Sequence, residues 1–104
     1  MSKTVFITGG TRGIGKACAD LFFNKGYNVV ITYEKSDDIA KEMRKKYTEG
    51  FLAIKCDVAN PNDVALAFKE AEKAFKRGEV PVGAVIVKDD KILGVFIDNT
   101  WKWR

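Results

Sequence analysis

Short, continuous apolar runs alternate along this chain with segments whose apolar residues recur at helical spacing. Val5 to Ile7, Val29 to Ile31 and Phe51 to Ile54 are each the length of a strand, and each is apolar without the in-out alternation of a half-exposed sheet. Such runs suit strands buried on both faces of a parallel sheet. Between the first two, Ile14, Ala17, Cys18, Leu21 and Phe22 mark one face of a helix. Ile39, Met43 and Tyr47 mark the buried edge of a second helix, and Val64, Phe68, Ala71 and Phe75 that of a third. Val82 to Val87 then reads as a further buried strand. The polar turn Lys88-Asp89-Asp90-Lys91 leads from it into Ile92 to Ile97, which predicts an antiparallel hairpin.

The punctuation agrees with the pattern. Gly26 predicts a left-handed cap ending the first helix, and Gly78 one ending the third. Ser36 is placed as an N-cap, with Asp37 and Asp38 in the first turn that follows and Arg44 to Lys46 in the last, charges that oppose the helix dipole. Asn60-Pro61-Asn62-Asp63 combines a capping side chain, a proline at the first helical position and an acid in the first turn.

The segment from Thr4 to Lys16, TVFITGGTRGIGK, organises the rest. An apolar strand enters a glycine-rich turn, and a helix begins near Gly13. Glycine lets backbone approach a ligand closely, and the helix start aims unpaired N–H groups and the positive dipole end at an anion, which suits a pyrophosphate. Thr8-Gly9, three residues, then Gly13-Ile14-Gly15 resembles the cofactor motif of the short-chain dehydrogenases and reductases. The likeness runs from about Thr4 to about Val64, and Cys56-Asp57-Val58 resembles the step with which that family contacts adenine.

The resemblance implies an α/β, Rossmann-like layered fold in a single domain over residues 1–104, with sheet order 3-2-1-4-5. Strands one to four are parallel and strand five antiparallel, with two helices on one face and one on the other. It also implies a dinucleotide site at Gly9, Arg12, Gly13, Ile14, Gly15, Lys35 and Asp57. Tyr33 stands where NAD users of the family tend to carry Asp. Arg12 and Lys35 are basic groups suited to a 2′-phosphate and favour NADP, whereas the Glu34 carboxylate would repel that phosphate. The residues alone leave two readings open: Arg12 and Lys35 are also ordinary loop charges, and Asp57 is also a loop cap.

From about Phe68 onward, KEAEKAFKRGEVPVGAVIVKDDKILG resembles the opening helix and hairpin of the tRNA adenosine deaminases and their cytidine-deaminase relatives. A dehydrogenase-like part over about 1–64 and a deaminase-like part over about 68–97 would then meet inside the third helix. Neither family's chemistry is complete. The tyrosines are Tyr27, Tyr33 and Tyr47, and four residues beyond them stand Ile31, Asp37 and Phe51, so no Tyr–Lys pair supplies a general acid. The chain has no histidine and no Pro-Cys-x-x-Cys element, so no zinc-activated water is expected. No catalytic and no metal-binding residue is assigned. These absences lead to the expectation of an engineered or recombined chimera without catalytic activity that requires no cofactor. The alternative is a residual NADP(H)-binding module that keeps weak affinity through the glycine loop.

Composition narrows this little. At 104 residues, 46% hydrophobic and 31% charged, the chain suits one compact domain with a modest core. Its net charge of +4 is spread over several helix faces with acids interleaved, which does not point to nucleic acid. No apolar run has the length of a membrane span and the first residues lack a signal peptide's pattern, so a cytoplasmic setting without membrane contact is expected. Cys18 and Cys56 are read as free thiols. Trp101 and Trp103 are expected to pack over sheet surface. One helix covers the second face of a five-stranded sheet poorly, so self-association through an exposed face or edge is expected as well.

Overall fold

The computed structural model describes residues 4–74, 81–88 and 91–97, with side chains for 4–71 and 73. Phe75, the Gly78 cap, the Asp89-Asp90 turn and the tryptophan tail lie outside the described residues. The elements in chain order are β1 (Thr4–Ile7), α1 (Gly13–Asn24), β2 (Asn28–Tyr33), α2 (Asp37–Lys46), β3 (Phe51–Lys55), α3 (Pro61–Ala74), β4 (Pro81–Lys88) and β5 (Lys91–Ile97). They form one sheet in the order β3-β2-β1-β4-β5. β1 pairs parallel with β2 and β4, β2 pairs parallel with β3, and β5 runs antiparallel to β4.

The two-residue period of a strand sorts side chains onto two cores. Val5, Ile7, Val29, Ile31 and Tyr33 turn to one face and pack with Ala19 of α1, Ala40 and Met43 of α2, and Tyr47. Phe6 and Val30 turn to the other and pack with Cys56 and with Ala67 and Ala71 of α3. Two helices therefore cover one face and one the other. The small Ala67 and Ala71 let α3 approach closely enough for Phe68 to stack on Phe6, with ring centroids 4.2 Å apart and planes 10° from parallel. Cys18 and Cys56 are free and belong to different cores.

Helix ends follow local chemistry. At the end of α1, the Gly26 N–H bonds the Phe23 carbonyl and the Tyr27 N–H that of Phe22, while the Tyr27 ring meets Phe22 edge-on at 5.1 Å. This is a Schellman cap with its hydrophobic contact, and Gly26 takes the left-handed φ of 88° that it requires. Asn60 caps α3, its Oδ1 accepting from the N–H groups of Asn62 and Asp63 at 3.0 and 3.4 Å. Ser36 occupies the cap position of α2 without a side-chain cap hydrogen bond, so the start of α2 relies on Asp37 and Asp38.

The face of α1 differs from the stripe the spacing predicts. Gly15 and Ala19 are buried, with Cys18, Phe22 and Phe23 packed beside them, while Leu21 is 54% exposed and Ala17 is exposed. Apolar residues lie on two sides of this helix, and α2 covers the side carrying Phe23.

A polar clasp joins α1 to the end of α2. The Tyr47 hydroxyl donates to the Asp20 carboxylate, which also accepts from Lys16 Nζ at 3.0 Å. The Tyr47 ring lies 4.0 Å from that of Phe23 and 5.4 Å from that of Phe51. Burial, reinforced by the hydrogen bond and the charge of Asp20, pushes Tyr47 up to about 12. Burial acts to raise the Asp20 carboxyl as well, but the bonds from Tyr47 and Lys16 outweigh it and hold the group below the usual carboxylate value.

Candidate functional site

Because β1, β2 and β3 are parallel, the loops that follow them open on the same edge of the sheet. That edge gathers the residues singled out in the sequence: Gly9 to Gly15 after β1, Lys35 after β2 and Asp57 after β3. In open parallel sheets ligands bind beyond the carboxyl ends of the strands, at this position.

The loop after β1 is built on glycine. Gly9 and Gly13 take φ of 64° and 51°, in the left-handed region. A Cβ on Gly15 would stand 2.0 Å from the Gly9 carbonyl oxygen, and one on Gly10 would stand 2.3 Å from Ile31 Cγ2. The start of α1 is thus pressed against the loop's own backbone, and the loop against β2. The Gly10 N–H fixes that second contact by donating to the Thr32 carbonyl at 3.0 Å.

Arg12 is the cap residue of α1 and is exposed with extended backbone. Its side chain makes no cap hydrogen bond, and the first turn of α1 contains no acid. The other two helices differ: α2 opens on Asp37 and Asp38, and α3 on the Asn60 cap and Asp63. The first turn of α1 therefore brings no carboxylate of its own to the positive dipole end, and its cap residue is a cation. Ile14 is half-buried, and Lys35 is exposed.

Asp57 is exposed and shapes its own loop. Its Oδ1 accepts from the Ala59 N–H at 2.9 Å, and its own N–H donates to Asp63 Oδ2 at 3.3 Å. Burial, together with the charges of Asp63 and Asp57, pushes the neighbouring Cys56 thiol up, which keeps it protonated.

Two features at this edge escape a reading of the sequence. Tyr33 is buried and held by α2: Arg44 Nη2 lies 3.5 Å from its hydroxyl and its guanidinium 5.8 Å from the ring centre. Arg44 also donates to the Ala53 carbonyl at 2.8 Å. Thr32 is 1% exposed, and its Oγ1 has no hydrogen-bond partner. Neither has a local signature, since each depends on which strand or helix lies alongside. Away from this edge, a shallow groove of about 300 Å³ between Phe23, Tyr27, Asn28 and Glu49 lies where β2 and β3 begin.

The pattern of the short chain dehydrogenase family matches residues 3–87. The chain belongs to that family. It is 36% identical over 93 residues to the 3-oxoacyl-(acyl-carrier-protein) reductase of Mus musculus, an alignment covering 89% of this chain and 39% of that one. Among solved structures it is similar to a blue fluorescent protein from a metagenomic library in complex with NADPH: 32% identity and TM-score 0.63, over 66% of this chain and 30% of that one. It is also similar to a 3-ketoacyl-(acyl-carrier-protein) reductase of Brucella melitensis complexed with NADH, with 28% identity and TM-score 0.62 over 68% and 29%. The chain spans about two fifths of the length of the curated relatives it matches.

These likenesses overturn the expectation of a recombined chimera without activity. The match continues to residue 87, through the second half of α3 and into β4, where the deaminase resemblance had been placed. The structure gives the reason. α3 runs unbroken from Pro61 to Ala74, and β4 pairs parallel with the central strand β1. β3, α3 and β4 form one crossover unit of the same sheet, and the relatives bear the names of reductases. Among the described residues no helix is long and apolar enough to cross a membrane.

Proposed function

We propose that this chain supplies the cofactor half-site of a 3-oxoacyl reductase and holds the adenosine and pyrophosphate part of NADP(H). The cationic start of α1 carries this reading, since among the described residues it is the one helix start with no acid in its first turn. The residues present fit the group. The glycine contacts press the loop closely against β2 and the start of α1, beside which the positive end of the helix would meet a pyrophosphate. Arg12 adds a full positive charge at the same terminus. Asp57, whose Oδ1 accepts from the Ala59 N–H and whose own N–H bonds Asp63, would accept from the exocyclic amine of adenine through its other carboxylate oxygen.

Preference for NADP rests on Arg12 and Lys35, both exposed at this edge. Arg44 is committed to Ala53 and Tyr33, and Lys55 pairs with Asp37 at 3.2 Å, which leaves Arg12 and Lys35 to meet a 2′-phosphate. Glu34 beside them limits the gain, so affinity is weak. When bound, the nicotinamide would supply hydride to a carbonyl. Tyr47 is no proton donor for that step: it sits before β3, at the opposite end of the sheet, with its proton held toward Asp20.

Calorimetric titration with NADPH and, separately, NADH tests the reading. Saturable binding that is tighter for NADPH is expected, and Arg12→Ala should weaken NADPH by about tenfold, the size of one charge-assisted hydrogen bond. Folded protein that binds neither cofactor up to about millimolar, an affinity near −4 kcal/mol, would overturn it.

A further inference from the structure

We propose that Asp20, anchored by Tyr47, is a positioning residue that holds Lys16 back from the dinucleotide phosphates and so limits their affinity. The inference rests on the cofactor reading above and concerns two residues outside the site assigned there.

Arg12, Lys16 and Asp20 follow one another at intervals of four, and the Lys16 N–H bonds the Arg12 carbonyl at 3.1 Å. They therefore form one stripe down α1, with Arg12 at the cofactor edge, Lys16 a turn below it and Asp20 a turn below that. Side chains on a helix lean toward its N-terminus, so a lysine one turn in is aimed by its backbone at the edge that Arg12 occupies. Here the ammonium turns the other way and meets Asp20 Oδ2 at 3.0 Å.

Helix stability does not account for this pair. A cation in the opening turns faces the positive dipole end, and lysine four residues before an acid is the weaker order of the two. What fixes Asp20 comes from outside the helix. Its Oδ1 accepts from the Tyr47 hydroxyl, and the Tyr47 ring is held in turn against those of Phe23 and Phe51. Tyr47 is buried, so the Asp20 carboxylate cannot follow Lys16 up the helix without giving up that bond. The Lys16 side chain is 41% exposed and free to swing through solvent once released. Asp20 and a bound phosphate thus compete for one ammonium, and Tyr47 keeps Asp20 in place for the competition.

Calorimetric titration with NADPH at about 10 mM ionic strength, on the unaltered chain and on folded variants, tests this. Asp20→Asn is expected to tighten NADPH by about threefold, the size of one charge about 10 Å from a phosphate with little screening, while Asp20→Glu, which keeps the charge, stays near the parent. Adding Lys16→Met to Asp20→Asn should abolish the gain, whereas Lys16→Met alone should change the affinity by less than about twofold, because the parent's ammonium is already withheld. A tie between helices with no bearing on the ligand produces no gain. Asp20→Asn that binds NADPH no tighter than the parent, or a gain that survives Lys16→Met, overturns the inference and leaves the cofactor reading standing; binding by neither the parent nor Asp20→Asn overturns both. If Asp20→Asn does not fold, Lys16→Met alone decides: a loss as large as that from Arg12→Ala means that Lys16 already meets the phosphates and overturns the inference, and a change under about twofold supports it.

Discussion

Gly15→Ala separates two opposing effects whose sizes differ enough to fix the sign. Alanine inside a helix is favoured over glycine by about 1 kcal/mol, so propensity alone makes the substitution stabilising. The structure opposes it. The new Cβ would lie 2.0 Å from the Gly9 carbonyl oxygen, 2.7 Å from the Gly9 carbonyl carbon and 3.3 Å from Gly10 Cα. All three are backbone atoms, so no side chain can rotate aside. Real Cβ atoms essentially never come within 3.0 Å of such neighbours, and reaching that distance moves the loop and the start of α1 apart by about 1 Å. Overpacking of this kind costs about 3 kcal/mol or more when the neighbours are rigid. A net loss of about 2 kcal/mol is expected, equivalent to a fall in Tm of about 8 to 16 °C for a domain of this size. Urea unfolding followed by far-UV circular dichroism measures it, with NADPH titration of the folded variant beside it. Gly26→Ala is the reference: it meets nothing within 4 Å but sits at φ 88°, so it should lose only about 1 kcal/mol and leave the cofactor edge untouched. A Gly15→Ala protein as stable as the parent would refute the close approach of α1 to the loop.

Thr32→Val removes a buried hydroxyl that has no partner and is expected to raise stability by about 1 kcal/mol, read from the urea midpoint; a loss instead would mean that the hydroxyl is bonded. Tyr47→Phe keeps the contacts with Phe23 and Phe51 and removes the bond to Asp20; about 2 kcal/mol should be lost, and the Asp20 carboxyl should titrate higher by NMR. The same clasp sets two pH limits. The raised Tyr47 contributes stability that is complete below its ordinary value of 10.0 and is lost as pH rises toward about 12. The lowered Asp20 contributes stability present above its ordinary 3.8 and lost as pH falls through its folded value, so Tyr47→Phe should flatten the alkaline limb of stability against pH.

What could be read from the sequence was what neighbours along the chain determine. The apolar runs, the Schellman glycine at Gly26, the Asn60 cap and the glycine-rich entry to α1 are local, and they led to the layered α/β architecture. Leu21 was misplaced because α1 is apolar on two sides, and only the position of α2 shows which of them is covered. The Tyr47–Asp20 clasp, the Arg44 contacts and the unpartnered Thr32 hydroxyl join residues far apart in the chain and carry no spacing that announces them. The deaminase reading failed for a related reason. A stretch such as Val82 to Val87 is apolar in any buried strand, so its likeness says little, whereas its parallel pairing with β1 says where it belongs.

The place of β1 in the sheet also orders events in time. Its four residues precede the other strands of this sheet along the chain, yet they lie at the centre, bonded to β2 on one side and to β4 on the other. The pairing with β2 closes over a single helix, but Thr4 meets Pro81 only after α1, β2, α2, β3 and α3 have been synthesised. Until then β1 has one open side, and the early folding unit is β1-α1-β2 with β3 added outward. Closing the β1–β4 pair spans the longest loop in the parallel part of the sheet, and ladders of such high contact order form slowly. The rate-limiting step of refolding should accordingly be the arrival of β4, and the chain is most exposed to misassociation in the interval before it.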